Sequence, residues 1–202
     1  MNGYEIAFAI LMGFSLAAAC GLRAFLPLFV IALGAKAGMI TVAPGFEWMM
    51  SYTSLICFGL AAVLEILGDK IPAVDHALDS AGVIVRPVAG ALAATSLIKG
   101  MDPLVATVIG IITGAGIAGL VQTLKAGLRL FSTAVTGGVA NTALSAAEDG
   151  TTAVAGIVGL VFPWLTAAVI IILLALGGRM IFRRSRKKRA QPVPNPSASQ
   201  ET

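Results

Sequence analysis

Charge is what this sequence has least of. Of its 202 residues only 12% are Asp, Glu, Lys or Arg, against roughly 25% in a soluble domain. A chain with so little to offer water cannot cover a water-facing surface, which excludes an ordinary soluble globular protein. There is one histidine and there are two cysteines, so a multi-histidine metal cage and a disulfide framework are both out of reach. Cys20 and Cys57 lie in apolar runs without a pairing spacing, and each reads as a buried inert thiol. No Lys or Arg precedes Arg23, and Glu5 stands near the start. A secretory signal needs a positive n-region, so residues 4–21 read as a retained membrane helix. A Walker glycine loop, a dinucleotide fingerprint, a His-Glu-x-x-His pair and a nucleophile elbow are all missing. No catalytic residue and no cofactor is therefore assigned. The net charge of +4 is no nucleic-acid signature, because half the basic residues sit in one tail.

What is present is apolar sequence, 57% of the chain, in windows longer than the roughly 18 residues that mark a membrane helix. The runs do not alternate, which excludes a membrane β-barrel. The expected class is all-α: a polytopic helical membrane protein with six to seven spans and short segments broken by Pro or Gly. Residues 1–178 form one transmembrane domain. Residues 179–202 are a basic, then disordered, cytoplasmic tail.

Tyr4 to Ala37 is too long for one span and short for two. Two segments, 4–21 and 24–37, meeting near Arg23 with Pro27 in the first turn of the second, are favoured over a single kinked helix. Residues 36–47 carry Gly38, Pro44 and Gly45 and read as a loop. Trp48 and Tyr52 open a span to about 67. Residues 73–85 form a short amphipathic helix, with Val74, Ala77, Leu78, Ala81 and Val85 on one side and Asp75, His76 and Asp79 on the other. Arg86-Pro87 is expected to break it, and a second short segment runs to about Ile98. Spans then follow over 103–124, where Gly110 and Gly114 permit close packing, over 128–147, closed by Glu148-Asp149-Gly150, and over 152–178.

Seven basic residues between Arg179 and Arg189 place the C-terminus on the cytoplasmic side. Counting back, Lys70, Arg86, Lys125 and Arg129 fall on that side and Lys36 and Lys99 on the other. The N-terminus is then inside with six spans or outside with seven. Val88–Leu97 matches Val135–Leu144 at an offset of 47, and Gly21-Leu-Arg23 recurs as Gly127-Leu-Arg129. These matches raise a tandem repeat of helical hairpins, each opening with an Arg.

The polar residues concentrate in one place. Glu65, Asp69, Asp75 and Asp79 are four of the ten acids, and they share fifteen residues with His76, the only histidine. Charges beside lipid are costly and mark functional sites. Glu65/Asp69 and Asp75/Asp79 each pair on one helix face. Together they suit proton or ion handling or oxygen ligation of a hard cation; a solvated loop paired with Lys70 and Arg86 is the plain alternative. Arg23 is either a snorkelling interfacial anchor or the partner of an anion or carboxylate inside the bundle.

Gly21-Leu-Arg23-Ala-Phe-Leu-Pro27, Glu65-x-x-x-Asp69-Lys70-Ile-Pro72-x-x-Asp75-His76-x-Leu-Asp79, Arg86-Pro87-x-Ala-Gly90 and Ser145-x-x-Glu148-Asp149 jointly resemble a bacterial membrane-protein family, domain of unknown function 4126. The resemblance implies a bacterial inner membrane and no particular activity. Short, Pro-interrupted segments at Arg23/Pro27 and Arg86/Pro87 are the pattern of a transporter's binding site, with free helix N–H groups able to hold an anion. The expected function is a small inner-membrane transporter or permease. Arg23 and Arg86 would hold an anionic substrate or balance the acids, and Glu65, Asp69 and Asp79 would bind the coupling ion or proton; Asp75 and His76 complete the expected substrate- or ion-binding set. The expected partners are the lipid bilayer, that substrate or ion, and a second copy of the chain, with no nucleic acid. The rival is a non-transporting scaffold with a cytoplasmic docking cluster.

Overall fold

The computed structural model describes residues 2–137 and 139–172, with the side chains of Pro72, Ala73, His76 and Thr142 left aside. The basic tail and the end of the last expected span lie outside the described residues. Among those described there is no strand. The helices are α1 (Gly3–Leu22), α2 (Phe25–Lys36), α3 (Tyr52–Gly68), α4 (Pro72–Leu97), α5 (Pro103–Thr136) and α6 (Val139–Val161), with a 3-10 turn at Glu47–Met50. A further helical segment, Pro163–Ile172, follows α6. Three helices are long and apolar enough to cross a membrane: Gly3–Leu22, Ala77–Leu97 and Pro103–Thr136.

α1 is apolar all round and mostly buried from Ala9 onward, as a central helix must be. It packs against α4, α5 and α6. The expected division at Arg23 is present: Arg23 is extended, and α2 starts two residues on with Pro27 in its first turn. The 37–46 loop is also present, and Ser51 caps α3 by accepting the Ser54 N–H at 3.0 Å. Asp102 caps α5 by accepting from the N–H groups of Leu104 and Val105.

The chain alternates between two ends. At one end Lys99 Nζ donates to the Thr41 carbonyl at 3.1 Å, Lys36 Nζ to that of Met50 at 3.1 Å, and Tyr4 meets Trp164 at 6.0 Å between ring centroids. At the other end, Lys125 Nζ donates to the Leu22 carbonyl at 3.2 Å. We call these the lysine end and the network end.

Several expectations are overturned. α4 runs unbroken through Pro87: the bundle tolerates the lost N–H, and the proline ring lies against Gly119 of α5. α5 does not end near residue 124. Its only breaker there is Gly127, worth about 1 kcal/mol in a helix, and the helix continues to Gly137, which caps it at φ +65°. Glu148 and Asp149 therefore sit within α6 rather than closing a span. The tandem repeat is not confirmed: 88–97 lies in one helix while 135–144 crosses a turn. The chain also returns to the lysine end by Trp164, so its described end lies opposite Lys70, Arg86, Lys125 and Arg129. Finally, Cys20 is buried but Cys57 is exposed on α3.

The amphipathicity of 73–85 is inverted. Val74, Ala77 and Ala81 are exposed, as are Ile84 and Val88, while Arg86 is buried. Apolar side chains face outward along α3 and α5 as well: Leu60, Leu64, Ile112 and Leu120 are all more than half exposed. So large an apolar exterior suits lipid and not water.

α4 and α5 pack backbone to backbone. A Cβ on Gly90 would stand 2.6 Å from the Gly114 carbonyl oxygen, and one on Gly110 would stand 2.7 Å from Thr95 Cα. Gly116 has open space around it. Gly114→Ala is therefore expected to destabilise the protein by about 1–3 kcal/mol through overpacking, and Gly116→Ala to leave it as stable or up to about 1 kcal/mol more stable. Thermal unfolding in detergent distinguishes them; equal melting of the two variants would remove the close-packing account.

Candidate functional site

Six carboxylates and five cations converge at the network end. The acids are Glu65, Asp69, Asp75, Asp79, Glu148 and Asp149; the bases are Arg23, Lys70, Arg86, Lys125 and Arg129.

The site begins where α1 stops. The chain turns between α1 and α2 without a capping side chain of its own, which leaves helix N–H groups without acceptors. Glu65, one turn from the end of α3, supplies them: its carboxylate accepts from the N–H groups of Ala24 at 3.0 Å and Phe25 at 3.2 Å. The anion expected at this broken helix is thus a side chain of the protein itself. Arg23 is fully buried. Its Nη1 lies 2.6 Å from Asp69 and donates to the Glu65 carbonyl at 3.2 Å. Its Nη2 pairs with Asp149 and donates to Ser145 Oγ.

α5 contributes one inward stripe, Ala106, Gly110, Gly114 and Ala118, then Gln122, Lys125 and Arg129, all buried. The small residues let α5 approach its neighbours; the polar ones then enter the network. Arg129 is the hub. Nη1 lies 2.5 Å from Asp75 and 2.7 Å from Asp79, and Nη2 lies 3.2 Å from Asp69 and 3.1 Å from Glu148. Lys125 Nζ is 2.9 Å from Glu148 and 3.7 Å from Asp79. Arg86 donates to Gln122 Oε1, lies 3.4 Å from Asp79, and stands 4.0 Å from Glu65. Lys70 pairs with Asp149 at 3.0 Å and opens outward. α6 presents Ser145, Glu148, Asp149 and Thr152 at helical spacing, and Thr152 Oγ1 donates back to the Glu148 carbonyl at 2.7 Å.

The interior is dry and the edge is not. The side chains of Arg23 and Asp69 have no exposure, whereas those of Asp79 and Asp149 retain 30% and 21%. Arg23 Nε, Arg129 Nε and Asp69 Oδ1 are among the buried atoms that have no hydrogen-bond partner among the described residues.

Of the residues expected from sequence, Arg23, Glu65, Asp69, Asp75, Asp79 and Arg86 all meet here; the His76 side chain lies outside the described residues. A solvated loop is excluded for Glu65, Asp69 and Arg86, which are at most 7% exposed. Among the described residues no group of three His, Cys, Asp or Glu side chains is placed to hold a metal ion, because guanidinium and ammonium groups occupy the carboxylate oxygens. Sequence reasoning missed Gln122, Lys125, Arg129, Ser145, Glu148 and Asp149 as site residues. Their signal was the spacing Lys125/Arg129 and Ser145/Glu148/Asp149/Thr152, which puts each set on one face of a helix.

A family model described as Domain of unknown function (DUF4126) matches residues 10–183. No curated protein and no solved structure matches the chain.

Removing one partner of a buried pair leaves an uncompensated charge, at about 3–5 kcal/mol. Arg23→Ala and Asp69→Ala are each expected to destabilise the protein on that scale, and the double variant by clearly less than their sum. Additive losses in a thermal-unfolding double-mutant cycle would show that the two residues do not act as a pair.

Proposed function

This chain belongs to the family of domain of unknown function 4126, and on that premise we propose that it is a small multi-pass transport protein of a bacterial inner membrane, with the buried charge network as its gate and coupling device. The observation that carries the proposal is the shared pairing. Asp79 lies within 4.0 Å of Arg86, Lys125 and Arg129 while keeping an exposed edge. Asp69 divides one oxygen between Arg23 and Arg129, its other oxygen being unpartnered among the described residues. Groups that share partners can exchange them, and exchange is what a two-state gate needs. Among the described residues six acids meet five Lys and Arg side chains, and a carboxylate in excess at such a site is a place for a proton or a coupling cation.

Six crossings fit the alternation of the helices, α2 being the shortest at about 18 Å. With the basic tail in the cytoplasm, the lysine end faces the cytoplasm and the network faces the opposite side. Arg23 and Arg86 are engaged by carboxylates of their own chain, which favours proton or ion coupling over direct capture of an anionic substrate there. A cytoplasmic docking cluster is the poorer reading, because its central residues are buried.

Charge movement tests the proposal. With protein reconstituted on a sensor-supported membrane, a pH jump is expected to give a transient current that Asp79→Asn reduces by about 100-fold or more, the usual weight of one proton-transferring group. Cys57→Ser, exposed and outside the network, keeps the current. Wild-type traces indistinguishable from protein-free membranes at every pH would overturn the transport reading.

A further inference from the structure

The cations of the network are not chemically alike. Arg23, Arg86 and Arg129 are guanidinium groups, which keep their proton inside proteins. Lys70 and Lys125 are ammonium groups and can give one up. Lys70 stands at the rim with 39% of its side chain exposed, whereas the Lys125 side chain is 1% exposed. Among the described residues, Lys125 is therefore the buried cation of the network that can exchange a proton.

Its surroundings suit exchange. An ammonium has three N–H donors, and Lys125 Nζ faces three acceptors, one from each helix that α5 packs against. They are the Leu22 carbonyl of α1 at 3.2 Å, the Asp79 carboxylate of α4 at 3.7 Å and the Glu148 carboxylate of α6 at 2.9 Å. Arg86 of α4 and Arg129 of α5 share these acids. Arg23, next to Leu22, is taken up by Asp69 of α3 and Asp149 of α6, and Asp75 of α4 by Arg129. Both acids on Lys125 are thus held by guanidinium as well. Glu148 is 3.1 Å from Arg129, and Asp79 is 2.7 Å from Arg129 and 3.4 Å from Arg86. Loss of the Lys125 charge strands neither carboxylate without a cation, which is the costly outcome for a buried pair.

Resting on the transport reading, we propose that Lys125 is the buried proton-exchanging group of the network, working through Asp79. The Lys125 ammonium gives one proton to the Asp79 carboxylate. An N–H bond breaks, its electron pair stays on Nζ as a neutral amine, and an O–H bond forms on Asp79. A side-chain shift or one bridging water closes the 3.7 Å gap. Asp79 keeps 30% of its side chain exposed, and from that edge the proton passes to water. Uptake of a proton through Asp79 reverses the step. While the amine is neutral, Glu148 is tied to α5 by Arg129 alone among the described residues. The proton on Lys125 thereby sets how firmly α6 is held to α5, which couples exchange to helix movement.

The test reads the pH-jump current of the full-length reconstituted chain together with its thermal unfolding. Lys125→Arg keeps the charge and the donors but cannot release a proton. It is expected to cut the current about 100-fold while melting close to the wild type. Lys125→Gln is expected to cut the current as far and to melt lower. Lys99→Arg, at the lysine end and outside the network, is expected to change neither. A wild-type current and pH profile in Lys125→Arg would overturn the proposal, since Lys125 would then be a counter-ion and nothing more. A second measurement does not depend on a variant folding: solid-state nitrogen NMR of the lysine-labelled wild type in vesicles. One Nζ resonance is expected to change from ammonium to neutral amine over the pH range in which the current changes, and to be missing from folded Lys125→Arg. Lysines that all stay ammonium over that range would overturn the proposal, as would a converting resonance that survives in Lys125→Arg. The two ideas fail separately. A wild type without current removes the transport reading and this proposal with it, whereas a wild-type current carried unchanged by Lys125→Arg removes only the role of Lys125.

Discussion

The Asp69 carboxylate lies between two guanidinium groups, Arg23 at 2.6 Å and Arg129 at 3.2 Å, and the arrangement of the network end depends on it. Arg23 comes from the break between α1 and α2, Asp69 from the end of α3, and Arg129 from deep in α5. A charge removed from water costs several kcal/mol unless its partners come with it. Burying any one of these residues therefore constrains where the other two helices end. Asp75 and Asp79 then bring in the start of α4, and Glu148 brings in α6. The network is thus a registration device as well as a chemical site, because helices that slid past one another would strand charges.

The rest of the bundle makes that burial affordable. Along α4 and α5 the contact is made by glycine and alanine, which bring the backbones close and add little directional preference. Lipid offers no hydrophobic force to hold helices together, so close contact supplies packing while the ion pairs supply specificity. The two ends of the protein then differ in kind. One pairs its charges with one another. The other leaves its lysines on carbonyls and an aromatic ring.

Much of this was legible in the sequence. The all-helical class followed from the long unalternated apolar runs. The break at Arg23 followed from Gly21, Arg23 and Pro27, and the loop at 37–46 from its glycines and proline. Six of the seven expected site residues do meet. What misled was the rule that charge marks water. Lys125 falls between two expected spans and Arg129 at the start of the second, yet α5 runs straight through both. Asp75 and Asp79 read as a solvated face, yet their helix turns its apolar side outward. In a bundle with an apolar surround, the amphipathic pattern reports which side is polar and leaves open which side is inside.

Local chemistry by itself determined the helical class, the Pro and Gly positions that start and cap helices, and the concentration of acids between residues 65 and 79. These depend on neighbours within a turn or two of the chain, where backbone sterics and hydropathy act directly. Only the tertiary structure decided that Pro87 and Gly127 break nothing, that the turn comes at Gly137, and that Glu148 and Asp149 face Arg23, Lys125 and Arg129. Those outcomes turn on pairings such as Arg23 with Asp149 and Lys70 with Asp149, between residues far apart in sequence. The energy of a buried charge depends on where its partner lies in space, which no local pattern records.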